Sequence, residues 1–220
     1  MKYLTPVILL LFFSPIQTAL AAPAQPGAAK YRYPLDGVKR EGKKTPRGLR
    51  CPKVEMVRYK GDVIRYHKPV RVYPEFIAHL EAFEKIVEQA ALEIYGRAPR
   101  RIRHVGTYNC RRISGYPNLI SEHGVANAID ISGFDFGSLP RADRASAPRD
   151  LPKKLTRAFK VRLIRHWRET PNDHHSRFLD LVARRVVEAQ IFRVVLGPSY
   201  PGHKDHFHFD MAPYEMVKVW

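Results

Sequence analysis

The stretch "HKDHFHFDMA", residues 203–212, alternates imidazoles with aromatic rings. Because successive side chains of a strand point to opposite faces, His206 and His208 would share one face while Phe207 and Phe209 share the other. The phenylalanines can then enter a core, which leaves the two imidazoles facing a cleft. The pattern therefore predicts a short strand that carries functional histidines.

Asp205 comes directly before that strand and has the wrong parity for the histidine face. We expect it at the start of the strand, where a turn after Pro201 and Gly202 aims its carboxylate inward. The stretch would then supply both a metal ligand and a base. The alternative is a chance cluster in a chain that contains 10 histidines.

A second polar stretch is "SEHGVANAIDISGF", residues 121–134. Its alternation predicts a strand in which Asp130 shares a face with small residues, and His123 lies on the loop before it. Catalytic zinc sites use three protein ligands drawn from His, Asp and Glu and keep one position for water. His123, Asp130 and either His206 or His208 would complete such a set.

Single residues of these types often have simpler roles. An aspartate in a strand of small residues can cap a turn, which is the alternative for Asp130. Most histidines are packed or solvated rather than metal-bound, and we interpret the following ones in that way: His67, His79, His104, His166, His174 and His175.

The first residues have the pattern of an export signal. One lysine, an apolar run and a small-residue cleavage site predict a signal peptide over residues 1–21. Prolines and polar residues interrupt the run, and a membrane-spanning helix needs about 20 apolar residues, so we expect no membrane anchor after cleavage. The mature protein is then expected in the periplasm or cell envelope. The Pro-, Gly- and Lys-rich residues 22–48 predict a flexible basic lead-in, followed by one folded domain over 49–220.

The chain contains 2 cysteines, Cys51 and Cys110. An even number of cysteines in an exported protein favours a disulfide, and the long loop that it closes would restrict the unfolded chain. Two unpaired buried thiols are the alternative. Their small number disfavours a metal site made of cysteines.

The net charge is +17, from 38 Lys and Arg residues against 21 Asp and Glu residues. Such a field attracts polyanions, whether nucleic acid, acidic lipid head groups or an anionic cell wall. Charge therefore indicates a class of partner and no particular reaction.

Hydrophobic periodicity predicts an α+β fold, with a small antiparallel sheet that carries the metal site and helices that flank it. The best helix covers 76–94 and ends at Gly96. Further helices are predicted in part of 152–167 and over about 176–190. Strands are predicted at 100–109, 125–134, 192–197 and 206–212.

Three segments resemble a known family: "YNCRRISG" (108–115), "SEHGVANAID" (121–130) and "VVLGPSYPGHKDHFHFDMA" (194–212). They are similar to the bacterial extensin-like C-terminal family. The second segment also resembles the SxHxxGxAxD signature, and "HKDHFH" the HxDHxH ending, of zinc peptidases grouped around D-alanyl-D-alanine carboxypeptidases and the hedgehog signalling domain. The implied fold is that of those peptidases.

The resemblance implies a ligand set in which His123, Asp130 and His208 bind Zn²⁺. It makes Asp205 the general base and His206 a neighbour of the metal that helps to hold the oxyanion.

Other positions follow from the same resemblance. Arg111 would point at the substrate carbonyl, and His203 and Ser121 would lie just outside the metal ligands. Ala126 stands at the usual glycine position and Gly124 lies upstream, which leaves open whether the loop follows the path of the family.

The resemblance implies a zinc-dependent peptidoglycan peptidase, with residues 49–220 as the catalytic domain. The alternative is a non-catalytic, zinc-containing module that binds the cell wall. An exported nuclease is disfavoured, and no nucleic acid partner is expected, because no aromatic platform for bases accompanies the motifs. The sequence does not distinguish endopeptidase from carboxypeptidase, D,D from L,D bonds, or one oligomeric state from another.

Overall fold

The computed structural model describes residues 32–42, 44–45, 48–145, 147–170 and 172–220. The predicted signal peptide, residues 1–21, lies outside this part of the chain. No helix among the described residues is both long and apolar enough to cross a membrane. The strands and helices are β1 (Lys44–Thr45), β2 (Gly48–Leu49), β3 (Val57–Tyr59), β4 (Val70–Val72), α1 (Phe76–Tyr95), β5 (Arg101–Gly106), β6 (Arg112–Ile113), β7 (Tyr116–Ile120), β8 (Ala128–Phe136), β9 (Phe159–Arg162), α2 (Leu163–His166), α3 (His174–Glu188), β10 (Val194–Leu196), β11 (Phe207–Asp210) and β12 (Met216–Lys218).

The main sheet is organised around β8. Its strand order is β12-β10-β11-β8-β5, and β9 also pairs with β8. Strand β11 pairs with residues 128–131 of β8, and β9 pairs with residues 133–136. All of these pairings are antiparallel except that of β10 with β12. The predicted α+β class with an antiparallel sheet and flanking helices is confirmed.

The core lies between one face of this sheet and the two long helices. Phe83 of α1 has its ring centroid 5.2 Å from that of Phe209, and Phe178 of α3 lies 5.1 Å from Phe134. Phe207 and Phe209 are fully buried, as predicted from the alternation. Full burial of such a side chain contributes roughly 1.5–3 kcal/mol. His208 of β11 therefore lies on the face opposite the helices.

Helix α1 confirms the strongest prediction from periodicity. Its apolar positions face the core, and Gly96 adopts a left-handed conformation with φ 66° while its N–H donates to the carbonyl of Leu92. Glycine tolerates this conformation because it has no Cβ. Helix α3 is also confirmed, and the carboxylate of Asp173 accepts the N–H of His175 at its start.

The helix predicted in part of 152–167 is confirmed only for the single turn of α2. The segment contains a 3-10 helix (Lys153–Thr156), then β9 and the single-turn helix α2. Residues 159–162 alternate apolar with basic side chains, and Val161 is fully buried opposite Phe134 of β8. Pairing with β8 therefore overrides the helical tendency of the lysine- and arginine-rich sequence.

The flexible lead-in predicted over 22–48 is wrong for residues 32–42. Tyr33 is 1% exposed and Leu35 is 4% exposed, and both belong to the main core. Asp36 forms an ion pair with Arg193. The low proportion of apolar residues in the segment was misleading, because burial of only two side chains, Tyr33 and Leu35, is enough to hold the segment against the core. Residues 22–31 lie outside the described part.

The predicted disulfide between Cys51 and Cys110 is confirmed. The two residues are separated by 59 positions, so the closed loop restricts the unfolded chain and contributes about 2–4 kcal/mol. The bond ties the segment before β6 to the chain that leads to β3.

The environment of His175 makes stability depend on pH. Burial and the neighbouring His166 lower the pKa of His175 to about 4, against 6.5 for a free imidazole. Below pH 6.5 the unfolded chain therefore binds a proton that the folded protein does not accept until about pH 4. We expect the free energy of unfolding to fall by about 1–2 kcal/mol over this window, allowing for solvent screening.

His175→Phe should remove that part of the pH dependence, because Phe packs against Tyr95 and Phe159 without titrating. Urea unfolding of parent and variant at pH 7 and pH 4.5 measures the difference. Parallel losses in both proteins would contradict the assignment to His175.

Candidate metal centre

Three side chains that the sequence singled out meet on the outer face of the sheet. Asp130 of β8 and His208 of β11 are cross-strand partners. His123 lies in a 3-10 turn (Glu122–Val125) that leads into β8, and the Ser121 side chain accepts the N–H of His123 at the start of this turn. Antiparallel pairing therefore supplies two of the groups, and the turn before β8 supplies the third.

The distances between their polar atoms are those of a metal site. Nδ1 of His208 is 2.9 Å from Oδ1 of Asp130 and 3.2 Å from Nε2 of His123, and His123 Nε2 is 3.1 Å from Oδ2 of Asp130. Ligands at 2.0–2.1 Å from a tetrahedral zinc ion lie about 3.3 Å apart. All three residues are buried, and together they form a group that can hold a metal ion.

Hydrogen bonds on the far side of each imidazole fix which nitrogen faces the site. Nδ1 of His123 bonds to the carbonyl of Thr107, and Nε2 of His208 bonds to Oδ2 of Asp210 at 2.7 Å. Both partners only accept, so each of these nitrogens carries the proton. The nitrogens that face Asp130 are therefore free to coordinate, and this outer support is typical of metal-binding histidines.

The site attracts a positive charge strongly. Burial opposes ionisation of His208, but hydrogen bonds to Asp130 and Asp210 raise its pKa to about 9. Burial likewise opposes ionisation of Asp130, yet the hydrogen bonds from His123 and His208 hold its pKa well below the usual range. At neutral pH His208 therefore holds a proton between these acceptors, and a bound metal cation would take the place of that proton.

Two glycines allow close packing around the site, because a side chain at either position would press against a neighbouring residue. A Cβ built on Gly106 would lie 3.1 Å from Oδ2 of Asp130. A Cβ on Gly124 would lie 2.5 Å from the Ile120 side chain and 2.9 Å from Sγ of Cys51. The disulfide thus packs directly against the turn that carries His123.

Ala126 takes the left-handed conformation, with φ 55°, at the position where the signature has glycine. Glycine enters this conformation without steric cost, whereas alanine adopts it at a small cost. The loop keeps a left-handed turn with alanine in that place.

The neighbours predicted from the resemblance cluster beside the triad. Nε2 of His206 is 3.7 Å from Oδ1 of Asp130, and Nδ1 of His206 is 2.7 Å from Oδ1 of Asp205. The His203 ring lies 4.8 Å from the His206 ring and 5.7 Å from the His208 ring. The Asp205 side chain is 54% exposed, so its carboxylate contacts His206 rather than the three buried residues.

An open cavity of ≈ 480 Å³ adjoins the site. Arg111, His203 and His208 all line it, so the arginine faces the same space as one candidate metal ligand, His208. Three tyrosines, at 116, 200 and 214, also line it. Arg112 is not part of this wall, and its side chain lies near Gly42.

Sequence reasoning missed several supporting groups. Glu122 lines the cavity, but Arg40 holds its carboxylate with two bonds of 2.8 and 2.9 Å, and Asn127 donates to it at 2.7 Å. Asp210 was overlooked although it follows His208 at the spacing of a strand face. The Thr107 carbonyl leaves no signal in the sequence, because any residue type supplies a backbone acceptor.

The comparison with protein families identifies the chain. The model of the family described as Extensin-like protein C-terminus matches residues 35–159, more than half of the 220 residues. This chain belongs to that family. The matched region contains His123, Asp130 and Arg111, whereas His208 lies beyond it. Searches of curated proteins and of solved structures find no match.

Replacing Gly124 should disturb the turn that carries His123. Gly124→Ala places a methyl group against Ile120 and Cys51, so we expect a loss of about 1–3 kcal/mol in the free energy of unfolding, measured in urea. Ala126→Gly is the control. Relief of the left-handed strain and loss of a buried methyl group roughly offset each other, so its change should stay within about 1 kcal/mol. Equal stability of Gly124→Ala and parent would show that the disulfide does not support the turn.

The Asp210 carboxylate should strengthen metal binding through His208. Asp210 accepts the backbone N–H of Ala212 on Oδ1 and the imidazole on Oδ2, and an asparagine has one oxygen for these two donors. Asp210→Asn should therefore raise the Kd for Zn²⁺ about 10–100-fold, measured by competition with a chromophoric chelator. Asp180→Asn, on α3, is the control and should leave the Kd unchanged. An unaltered Kd in Asp210→Asn would remove Asp210 from this role.

Proposed function

We propose that this protein is a zinc-dependent peptidase that hydrolyses peptide bonds of peptidoglycan. The observation that carries the proposal is the convergence of two imidazole nitrogens and one carboxylate oxygen within 3.2 Å of one another, beside an open cavity that His208 lines. The likeness of the two site motifs to the zinc peptidases related to D-alanyl-D-alanine carboxypeptidases and hedgehog domains supports the same proposal.

The donor set suits zinc. Two neutral imidazoles and one carboxylate from His123, Asp130 and His208 match the ligands of catalytic zinc sites, and a site of this kind keeps a position for water. When bound, zinc supplies a water whose pKa is lowered to about 7 and polarises the scissile carbonyl.

The chain's own groups would then move the protons. Asp205 accepts the proton of the attacking water and delivers it to the leaving amine. Its exposure allows contact with the substrate, and its hydrogen bond to His206 orients the carboxylate. His206 and Arg111 donate to the developing oxyanion, and losing one such donor costs on the order of 3 kcal/mol in activation free energy.

The proposed substrate is the peptide part of peptidoglycan. Its stem peptides carry carboxylates, which a protein of net charge +17 attracts. An exported enzyme would meet this polymer in the periplasm or cell envelope. The bond can belong to a cross-link, as for an endopeptidase, or to a stem terminus, as for a carboxypeptidase.

One observation favours a second candidate function. The Asp205 carboxylate contacts His206 and not the three buried residues. A protein that bound the cell wall with a structural zinc ion and no turnover would be compatible with that arrangement. Fold alone does not distinguish the two, because one scaffold can serve several functions.

Two substitutions separate binding of the metal from catalysis. Asp205→Ala should keep zinc and lose turnover, because it removes the base and no ligand. His123→Ala should lose both, because it removes a ligand. Zinc content by mass spectrometry and fragments released from sacculi measure the two properties.

The parent protein is incubated with sacculi and with DNA, with and without a chelator. We expect fragments from sacculi that a chelator abolishes, and no cleavage of DNA. Binding to sacculi without fragments would favour the wall-binding module. Retained hydrolysis in Asp205→Ala would remove that residue from the mechanism.

A further inference from the structure

A second concave surface lies along β8, away from the candidate metal centre. This basic groove, of ≈ 600 Å³, is lined by Arg100, Arg101, Arg103, Lys160 and Asp135, together with apolar side chains. Its charged residues come from β5, β8 and β9 and from the residue before β5. The groove thus belongs to the same sheet as His208 and Asp130.

The groove has a surplus of positive charge. Asp135 is its acid, and it bonds to Arg103 at 2.7 Å and to Arg162 at 2.5 Å, so its charge is already shared. Among the described residues, the side chains of Arg100, Arg101 and Lys160 have no carboxylate within ion-pair distance. These three cations are therefore available to an anionic ligand.

The basic groove and the metal centre lie on the same face of the sheet. Ile131 of β8 is paired with His104 of β5, and Gly133 with Arg103, so one residue of β8 is extra at this point. Such a bulge shifts the alternation by one position. Asp130 and Asp135 consequently both point away from the core, and they lie roughly 16 Å apart along the strand, at about 3.3 Å per residue.

We propose that the basic groove binds carboxylates of the same cell-wall polymer whose peptide bond lies at the metal centre. This inference rests on the proposed function for the identity of the polymer. A polymer with repeated carboxylates can contact both sites at once, and a separation of about 16 Å exceeds the Debye length of ~10 Å at 0.1 M salt. The groove therefore acts by direct contact with carboxylates at a distance from the scissile bond.

The aromatic residues of the groove disfavour a nucleic acid. Phe136 and Phe159 stack on each other with centroids 4.7 Å apart, and the Arg97 guanidinium lies 5.0 Å from the Phe159 ring. Phe136 is 3% exposed. These rings are engaged inside the protein and offer no platform on which bases could stack. Binding of carboxylates, by contrast, requires only the cationic side chains of the groove.

Charge reversal tests the basic groove. Arg101→Glu and Lys160→Glu should each weaken binding to sacculi about three- to tenfold, measured by co-sedimentation with a chelator present so that no cleavage occurs. Lys85→Glu is the matched control, because Lys85 is exposed on α1, on the other side of the sheet, and changes the net charge equally. It should weaken binding less than twofold. An equal loss of binding in Lys85→Glu would overturn the proposed role of the groove, since net charge alone would then explain binding.

The chemistry of the ligand is tested on sacculi whose carboxylates have been amidated. The parent should bind amidated sacculi no better than the two groove variants bind native sacculi. Undiminished binding of the parent to amidated sacculi would overturn the assignment to carboxylates. A larger effect of both substitutions on binding to duplex DNA than to sacculi would also overturn it.

The same variants distinguish failure of this inference from failure of the proposed function. If the parent binds sacculi through the groove but releases no fragments with zinc present, the proposed peptidase activity is wrong and the proposed role of the groove is retained. If the parent releases fragments and both variants bind and cleave sacculi as well as the parent does, the proposed role of the groove is wrong and the proposed peptidase activity is retained. Thermal unfolding confirms that the variants are folded.

Discussion

The pairing of β8 with β11 is the constraint on which the site depends. It sets Asp130 opposite His208 and, on the other face, Phe209 opposite Ile129. A shift of one residue would exchange the two faces, burying charged groups and exposing apolar ones. The hydrophobic core therefore fixes the register, and the register in turn fixes the distance between two of the candidate metal ligands.

The third ligand depends on a separate set of interactions. The turn that carries His123 is held by the disulfide behind Gly124 and by Glu122, which bonds to both Arg40 and Asn127. Arg40 belongs to the segment that composition had suggested was flexible. The family match begins at residue 35 and so includes this segment, which agrees with its role as part of the folded domain.

The sequence was informative where a pattern is local. Alternation placed Phe207 and His208 on opposite faces, and the apolar stripe of α1 with Gly96 at its end gave a helix that the structure confirms. It was uninformative where partners are distant. The segment at 159–162 became a strand because β8 offers it an edge, and its alternation of only four residues is too short to indicate this by itself. The Thr107 carbonyl that orients His123 is likewise visible only in three dimensions.

Both long helices cover the same side of the main sheet, as the contacts of Phe83 and Phe178 show. The other side bears the acceptors of the candidate metal centre and the cations around Asp135. A pocket enclosed by helices admits only a chain with a free terminus, because the chain must be threaded into it. The site lies instead on the side that neither long helix covers, beside an open cavity, so a network without free termini nearby can reach it without being threaded between helices.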